Sequence, residues 1–155
     1  ICNNQPASNQ SFLYDIDSML IKLAKENAHV RFFTTDPIPD REDNPANITS
    51  LEVVYDRLQD CDLREISYFS TLCDVIIGKN SGPYVFAETH ENYMDPFKSF
   101  LSFNTKNPEF DDIKETMSNG LDLKCKYKTV PIHSIDKPEK KDVKAIMEAI
   151  EDVIK

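Results

Sequence analysis

Apolar positions in this chain follow two spacings, one typical of amphipathic helices and one typical of strands. Between residues 12 and 26 they recur every three or four positions, which predicts a helix with Ser8 or Ser11 as its N-cap. A second helix is predicted from Asp62, because Asp62 and Glu65 have the spacing of a capping box. The buried face of the first helix is expected to consist of Phe12, Ile16, Leu20, Leu23 and Ala24.

Further helical spacing continues toward the C-terminus. The helix after Asp62 is expected to bury Leu63, Ile66, Phe69 (or Ser70) and Leu72. A terminal helix is predicted from Pro138, and its apolar positions are Val143, Ile146, Met147, Ile150 and Ile154. Shorter helices are predicted near residues 83–90 and 110–117.

Short apolar or alternating runs between the helices are typical of strands. They cover residues 30–35, 75–77, 97–103 and 128–132, and residues 48–58 fit a strand followed by a helical turn. Because strands alternate with helices, the pattern predicts an α/β, Rossmann-like fold: a mostly parallel sheet of about five or six strands with helices on both faces. Residues 1–155 are expected to form a single domain within a longer protein, since the sequence starts inside an apparent strand.

Composition excludes several classes of partner. A net charge of −9 argues against binding a nucleic-acid backbone, which needs clustered Lys and Arg, but it permits a small phosphorylated ligand. No apolar run approaches the ~20 residues of a membrane span.

Neither the cysteines nor the histidines have zinc-site spacing, so no metal or other cofactor is expected. The scattered cysteines, which fit a reducing compartment and predict a cytoplasmic protein, are Cys2, Cys61, Cys73 and Cys125.

The turn Gly78-Lys79-Asn80-Ser81-Gly82-Pro83 carries two of the three glycines and joins an apolar strand to a helix. Pro83 suits the first helical position, and Gly82 permits close approach to the backbone. Free N–H groups at a helix start bind anions, and the side chains of Asn80 and Ser81 add donors. The turn therefore predicts a phosphate site, although an ordinary strand-to-helix turn has the same composition.

Other polar groups are predicted at the same edge of the sheet. Ligands of parallel α/β sheets bind beyond the carboxyl ends of the strands, and four stretches are expected there: residues 2–8, 34–37, 49–52 and 78–84. The amides of Asn3, Asn4 and Gln5 can hold a sugar or a base edge, or can instead cap the following helix. The ligand-binding residues expected from these stretches also include Thr34 and Thr35.

Residues 62–87, DLREISYFSTLCDVIIGKNSGPYVFA, resemble the C-terminal domain of GT-B glycosyltransferases, and in particular that of the bacterial heptosyltransferase family. The matching positions are Leu63, Glu65, Ile66 and Leu72 in the helix, Asp74, Val75 and Ile77 at the strand, and Ser81, Gly82, Pro83, Phe86 and Ala87 at the turn. Asn80 stands where the family has Asp, and Val85 where it has His.

The resemblance implies a donor-binding domain that takes a nucleotide-diphosphate sugar as substrate at Gly78–Pro83. The acceptor and the catalytic base are then expected on an N-terminal domain outside this chain, so no catalytic residue is named. It also implies that a carboxylate such as Glu88 accepts from ribose or sugar hydroxyls, although a solvated helix face is the alternative. Tyr84 is expected either to stack on a base or to pack into the core.

Two other functions fit the same sequence. An enzyme similar to nucleotide-sugar epimerases also uses a Ser-Gly turn, but Pro83 takes the place of that family's second glycine. A non-catalytic ligand-binding or protein-interaction domain of the same fold is the third possibility.

Overall fold

A computed structural model describes residues 1–3, 14–39, 42, 44–56, 62–79, 82–105, 123–132 and 139–155. The strands are β1 (Phe32–Thr34), β2 (Ile48–Ser50), β3 (Val75–Lys79), β4 (Ser99–Thr105) and β5 (Lys126–Ile132). The helices are α1 (Ile16–Glu26), α2 (Leu51–Val54), α3 (Leu63–Ser70), α4 (Gly82–Ala87), α5 (His90–Tyr93) and α6 (Lys140–Ile154). The predicted strand followed by a helical turn after residue 48 is confirmed as β2 and α2.

The strands pair in parallel throughout the described residues. β1 pairs with β2, and β3, β4 and β5 form a second group in that order. Residues 1–3 lie between the two groups, because the Cys2 N–H donates to the Ile77 carbonyl at 2.7 Å and the Thr35 N–H donates to the Ile1 carbonyl at 3.1 Å. The order across the fold is therefore β2, β1, residues 1–3, β3, β4, β5. The predicted Rossmann-like α/β fold with a parallel sheet is confirmed.

Helices cover both faces of the sheet. Side chains of a β-strand alternate between the two faces, so apolar residues on each face need a helix to pack against. Ile77 and Leu101 pack with buried residues of α1 and α6, whereas Ile76 and Phe100, their neighbours along the strands, pack with residues of α4. The α1–α6 side supplies the larger cluster, which includes Leu20, Leu23, Ile146, Ala149 and Ile150.

Helix α1 begins later than its apolar spacing predicted. Asp15 is the N-cap, and its side chain accepts from the Ser18 N–H at 3.0 Å. Among the described residues the helix therefore starts at Ile16 and not at the predicted residue 12, because Asp15 caps it. Phe12 itself lies outside the described residues. The proposed caps, Ser8 and Ser11, lie outside the described residues. The remaining predicted face agrees with the structure, since Leu20, Leu23 and Ala24 are buried and Ile16 is half-buried.

Helix α3 confirms the predicted cap but corrects the predicted stripe. Asp62 accepts from the Glu65 N–H, and the Glu65 carboxylate accepts from the Asp62 N–H, both at 2.9 Å. Leu63 and Leu72 are 38% and 65% exposed, whereas Ile66 is buried. Leu72 is exposed because the helix ends at Ser70, and beyond that residue helical spacing no longer determines which face a side chain occupies.

The C-terminal end of α3 is held by a buried lysine. The Lys98 ammonium donates to the carbonyls of Ser70 and Thr71, each at 3.0 Å. These are carbonyls at the end of a helix, where intrahelical partners are missing. Burial also lowers the pKa of Lys98.

Two other boundaries differ from the predictions. β4 begins at Ser99 and not at Phe97, which is 86% exposed, because the Asp95 carboxylate accepts from the Phe97 N–H at 2.9 Å and holds a turn there. α6 is described from Lys140, and the predicted start at Pro138 lies outside the described residues. The predicted helix at residues 110–117 also lies outside them.

Candidate functional site

The strand order reverses between residues 1–3 and β3. From residues 1–3 the chain builds outward to β1 and β2 on one side, and β3, β4 and β5 follow on the other. Cys2 and Gly78 are parallel bridge partners at this point. A crevice at the carboxyl ends of two such strands is the usual ligand site of open α/β sheets. Asn3 and Lys79 therefore mark the described edges of the candidate site.

Gly78 is required by protein packing. A Cβ on this residue would lie 2.8 Å from the Cys2 Cβ and 3.0 Å from the Tyr84 Cδ2. In proteins, a Cβ essentially never lies within 3.0 Å of a heavy atom outside its own residue and that residue's two chain neighbours. Two residues therefore pack closely against the backbone at Gly78: Cys2, which is its bridge partner, and the core residue Tyr84.

The turn after β3 is only partly described. Asn80 and Ser81 lie outside the described residues, and α4 begins at Gly82 with Pro83 as its second residue. The predicted helix start at this turn is confirmed to within one residue.

The Asn3 side chain connects three parts of the chain. Its Oδ1 accepts from the Asp36 N–H at 2.8 Å and from the Thr35 hydroxyl at 3.2 Å. Its Nδ2 donates to the Asp36 carbonyl at 3.1 Å and to the Asp17 carboxylate at 3.2 Å. An asparagine amide has two donors and two acceptor positions, and all four are occupied here. Asn3 thus fixes the loop after β1 against the start of α1, while Asn4 and Gln5 lie outside the described residues.

The two threonines predicted at the crevice are buried. Thr34 and Thr35 are 0% and 4% exposed. The Thr35 hydroxyl accepts from the Asn3 N–H at 3.2 Å, and the Thr34 hydroxyl has no hydrogen-bond partner among the described residues. A ligand would reach either hydroxyl only if the surrounding chain moved.

Tyr84 packs into the core. It is 0% exposed, and its ring meets Phe100 edge-on at a centroid distance of 6.1 Å. Of the two expectations for this residue, the core position is the one observed. No face of the ring is open to a nucleotide base.

Glu88 belongs to a partly buried tyrosine network that the sequence pattern did not reveal. The Tyr127 hydroxyl donates to the Glu88 carboxylate at 2.9 Å, and the Tyr84 hydroxyl donates to Tyr127 at 3.4 Å. Burial, followed by the nearby Glu88 charge, raises the pKa of Tyr127 and of Tyr93. The alternative of a solvated helix face does not hold for Glu88. The four-residue spacing of Tyr84 and Glu88, at and just after the end of α4, was visible in the sequence, whereas the contribution of Tyr127 from β5 was not.

Lys79 is a second feature that the sequence pattern missed. It is the last residue of β3 and is 8% exposed. Burial lowers its pKa because the charged ammonium is poorly solvated there. The sequence does show a lysine directly after an apolar run that predicts a strand, and this position could have marked Lys79 as a candidate site residue. Lys79 brings a positive charge to the carboxyl edge where the strand order reverses.

The larger cavities described lie away from this crevice. One of about 400 Å³ lies at the opposite edge of the sheet, between the starts of β1 and β3, and Arg31 and Asp74 help to line it. Another of about 570 Å³ is a groove between α3 and the α4–α5 segment. A small space of about 30 Å³ lies beneath Thr34 and Thr35.

Two further absences apply to the described part of the chain. It contains no group of three or more His, Cys, Asp or Glu side chains placed to hold a metal ion. None of its helices combines the length and the apolar character needed to cross a membrane.

Comparisons with protein-family models, with curated proteins and with solved structures each found no match.

Proposed function

We propose that this domain binds a nucleoside diphosphate, or its sugar conjugate, in the crevice between Asn3 and Lys79. Its role would be that of the donor-binding domain of a glycosyltransferase-like protein. The observation that carries the proposal is the reversal of strand order between residues 1–3 and β3. Such reversals open a crevice at the carboxyl edge, and dinucleotide- and nucleotide-binding α/β domains use it.

Two groups support an anionic ligand at this edge. The chain enters α4 at Gly82, where backbone N–H groups have no intrahelical partner. Lys79 adds a cation just before the turn, at the end of β3. The overall charge of −9 does not oppose the proposal, because exposed charges farther than ~8 Å are largely screened at physiological salt.

The resemblance of residues 62–87 to GT-B donor domains supports the nucleotide-sugar class of ligand. Under the proposal, Ser81, Gly82 and Pro83 lie at the diphosphate. The catalytic base and the acceptor site belong to another domain, so the isolated chain is expected to bind the donor without turnover.

A non-catalytic ligand-binding or interaction domain is the second candidate. This candidate is favoured because side chains that a donor site would use to bind its ligand are instead engaged in contacts within the protein. Asn3 is fully hydrogen-bonded, and Thr34 and Tyr84 are buried.

Calorimetric titration with uridine, guanosine and adenosine diphosphates, and with the matching nucleosides, tests the proposal. At least one diphosphate should bind, and more tightly than its nucleoside. Gly82→Asp should abolish this binding, because it places a carboxylate at the expected phosphate position. Phe97→Asp is the matched control: it adds the same charge at an exposed residue just before β4, at the opposite edge of the sheet.

The outcomes separate the two candidates. Absence of heat with all three diphosphates would favour the non-catalytic domain. Binding that survives Gly82→Asp would place the nucleotide elsewhere on the protein. Loss of binding in both variants would point to a general effect of added negative charge.

A further inference from the structure

A groove of about 570 Å³ runs along the outer side of α3 and α4–α5, away from the crevice. One wall is the face of α3, and the other is formed by the end of α4 and the start of α5. The residues that line the groove are Arg64, Ser67, Tyr68, Thr71, Phe86, Thr89 and Glu91. Its two aromatic side chains are unusually open to solvent, since Tyr68 is 66% and Phe86 47% exposed.

The two ends of the groove carry opposite charges. Arg64 lies in the first turn of α3. Glu91 lies at the other end, because its neighbour Asn92 donates through Nδ2 to the Ser70 hydroxyl, in the last turn of α3, at 2.8 Å. At 1.5 Å per helical residue, the two levels are about 9 Å apart. Within the described residues, no ion pair engages the Arg64 guanidinium or the Glu91 carboxylate.

We propose that this groove is a dimer interface that binds a second copy of the same chain about a two-fold axis. A patch that joins to itself must be self-complementary under that axis. An axis that passes between Tyr68 and Phe86 exchanges the two ends of the groove. Arg64 of one copy then faces the partner subunit's Glu91, and the contact occurs twice. Tyr68 and Phe86 supply the exposed aromatic surface of the contact, and aromatic residues are enriched among those that contribute most to binding.

The charge pattern favours a second copy over an unrelated partner. A strongly basic or strongly acidic partner would be attracted by the charge at one end of the groove and repelled by the charge at the other. A second copy in the antiparallel orientation matches both ends. The net charge of −9 per copy acts at longer range and is screened within ~8 Å at physiological salt, so the pairs at the contact decide the orientation.

Sedimentation equilibrium at physiological salt, over a wide range of protein concentration, tests the proposal. We expect a weak dimer, with a Kd of about 10–200 μM, because seven residues line the groove, whereas a standard interface has about 20–30 residues on each side. Phe86→Glu and Tyr68→Glu should each weaken the dimer by about tenfold or more, because each replaces an aromatic side chain of the contact by a carboxylate. A wild-type protein that stays monomeric up to about 1 mM would overturn the proposal.

Phe97→Glu is the matched control for these variants. Phe97 is 86% exposed, more than either groove aromatic, and it is not among the groove residues. If dimerisation came only from exposed apolar surface, Phe97→Glu would weaken it at least as much as Phe86→Glu. That result would also overturn the proposal. Circular dichroism melts of each variant separate a loss of dimer from a loss of fold.

A charge exchange tests the orientation. Arg64→Glu should weaken the dimer by about tenfold, because two attractive contacts become repulsive. Glu91→Arg should have a similar effect. The double variant should return to within about threefold of wild type, since it restores both pairs with reversed signs. A double variant that is as weak as the sum of the single variants would refute the two-fold arrangement.

Discussion

Cys2 and Gly78 are parallel bridge partners at the centre of the fold, and their backbones approach so closely that a Cβ on Gly78 would lie 2.8 Å from the Cys2 Cβ. The Cys2 N–H also donates to the carbonyl of Ile77, the residue before Gly78, at 2.7 Å. This contact joins the two groups of strands and creates the reversal of strand order on which the candidate site depends.

The first prediction concerns this contact. Gly78→Ala should lower the free energy of unfolding by about 1–3 kcal/mol, because the added methyl group overpacks a site with no free space. In a Cys2→Gly background the same substitution should cost less, since the closest overlap has been removed. Urea unfolding of the four proteins completes a double-mutant cycle. Equal costs in both backgrounds would show that Cys2 is not the obstructing residue.

The second prediction concerns the cap of α3. Lys98→Met should destabilise the fold by about 1–3 kcal/mol, because it leaves the carbonyls of Ser70 and Thr71 without their charged donor. Lys126→Met, at an exposed position on β5, should change the stability little. Urea unfolding at neutral pH measures both effects.

Lys98 should also make stability depend on pH. Burial lowers its pKa below the ordinary 10.5, so over the interval between the two values the unfolded chain binds more protons than the folded one. Stability from this group therefore rises as pH increases through the lowered folded pKa toward 10.5. The difference between wild type and Lys98→Met should widen over that interval. A constant difference would argue against a buried, titrating amine.

The third prediction concerns the Cys2 thiol. Burial raises its pKa from 9.0 to about 11. Between these values the folded state holds a proton that the unfolded chain has lost, so stability falls as pH rises from 9 toward 11. This component amounts to about 2–3 kcal/mol across the interval. Cys2→Ala should lack it, whereas Phe97→Ala should keep the wild-type pH profile. Unfolding measured at pH 8, about 9.5 and about 11 would reveal the difference.

The fourth prediction concerns a hydrogen bond between distant parts of the chain. The Tyr14 hydroxyl, just before α1, donates to the Asp142 carboxylate in α6 at 2.9 Å, and both residues are buried. Tyr14→Phe should destabilise by about 1.5–3 kcal/mol, because a buried carboxylate loses a donor. Tyr68→Phe removes a hydroxyl from an exposed ring and should have almost no effect on urea unfolding at low protein concentration. Similar losses from both variants would contradict a specific role for the pair.

The site was harder to predict from sequence than the fold. Helix α3 and its cap were predictable because Asp62 and Glu65 interact within one helical turn. The role of Asn3 was not, since its four hydrogen bonds involve residues from α1 and from the loop after β1. Because Asn3 follows a predicted strand, the sequence predicted that it lies at the carboxyl edge. It gave no indication that the amide is hydrogen-bonded to other parts of the protein.

Helical spacing also misplaced part of the core. It predicted that Leu63 and Leu72 are buried, yet both are exposed, while the Lys98 ammonium is buried beneath the end of α3. Spacing gives the relative positions of side chains around a helix. It contains no information on which sector of the helix meets the sheet, or on where a neighbouring element covers its end.

By itself, the sequence determined the elements with local causes: the alternation of helices and strands, the parallel α/β class, the capping box at Asp62, and a helix that starts beside the glycine turn. Tertiary structure alone decided the strand order, the burial of Tyr84 and the tyrosine contacts of Glu88. The reason is physical. Periodicity and capping act over a few residues, whereas the Cys2–Gly78 contact and the Tyr127–Glu88 hydrogen bond join parts of the chain that meet only after the sheet has formed.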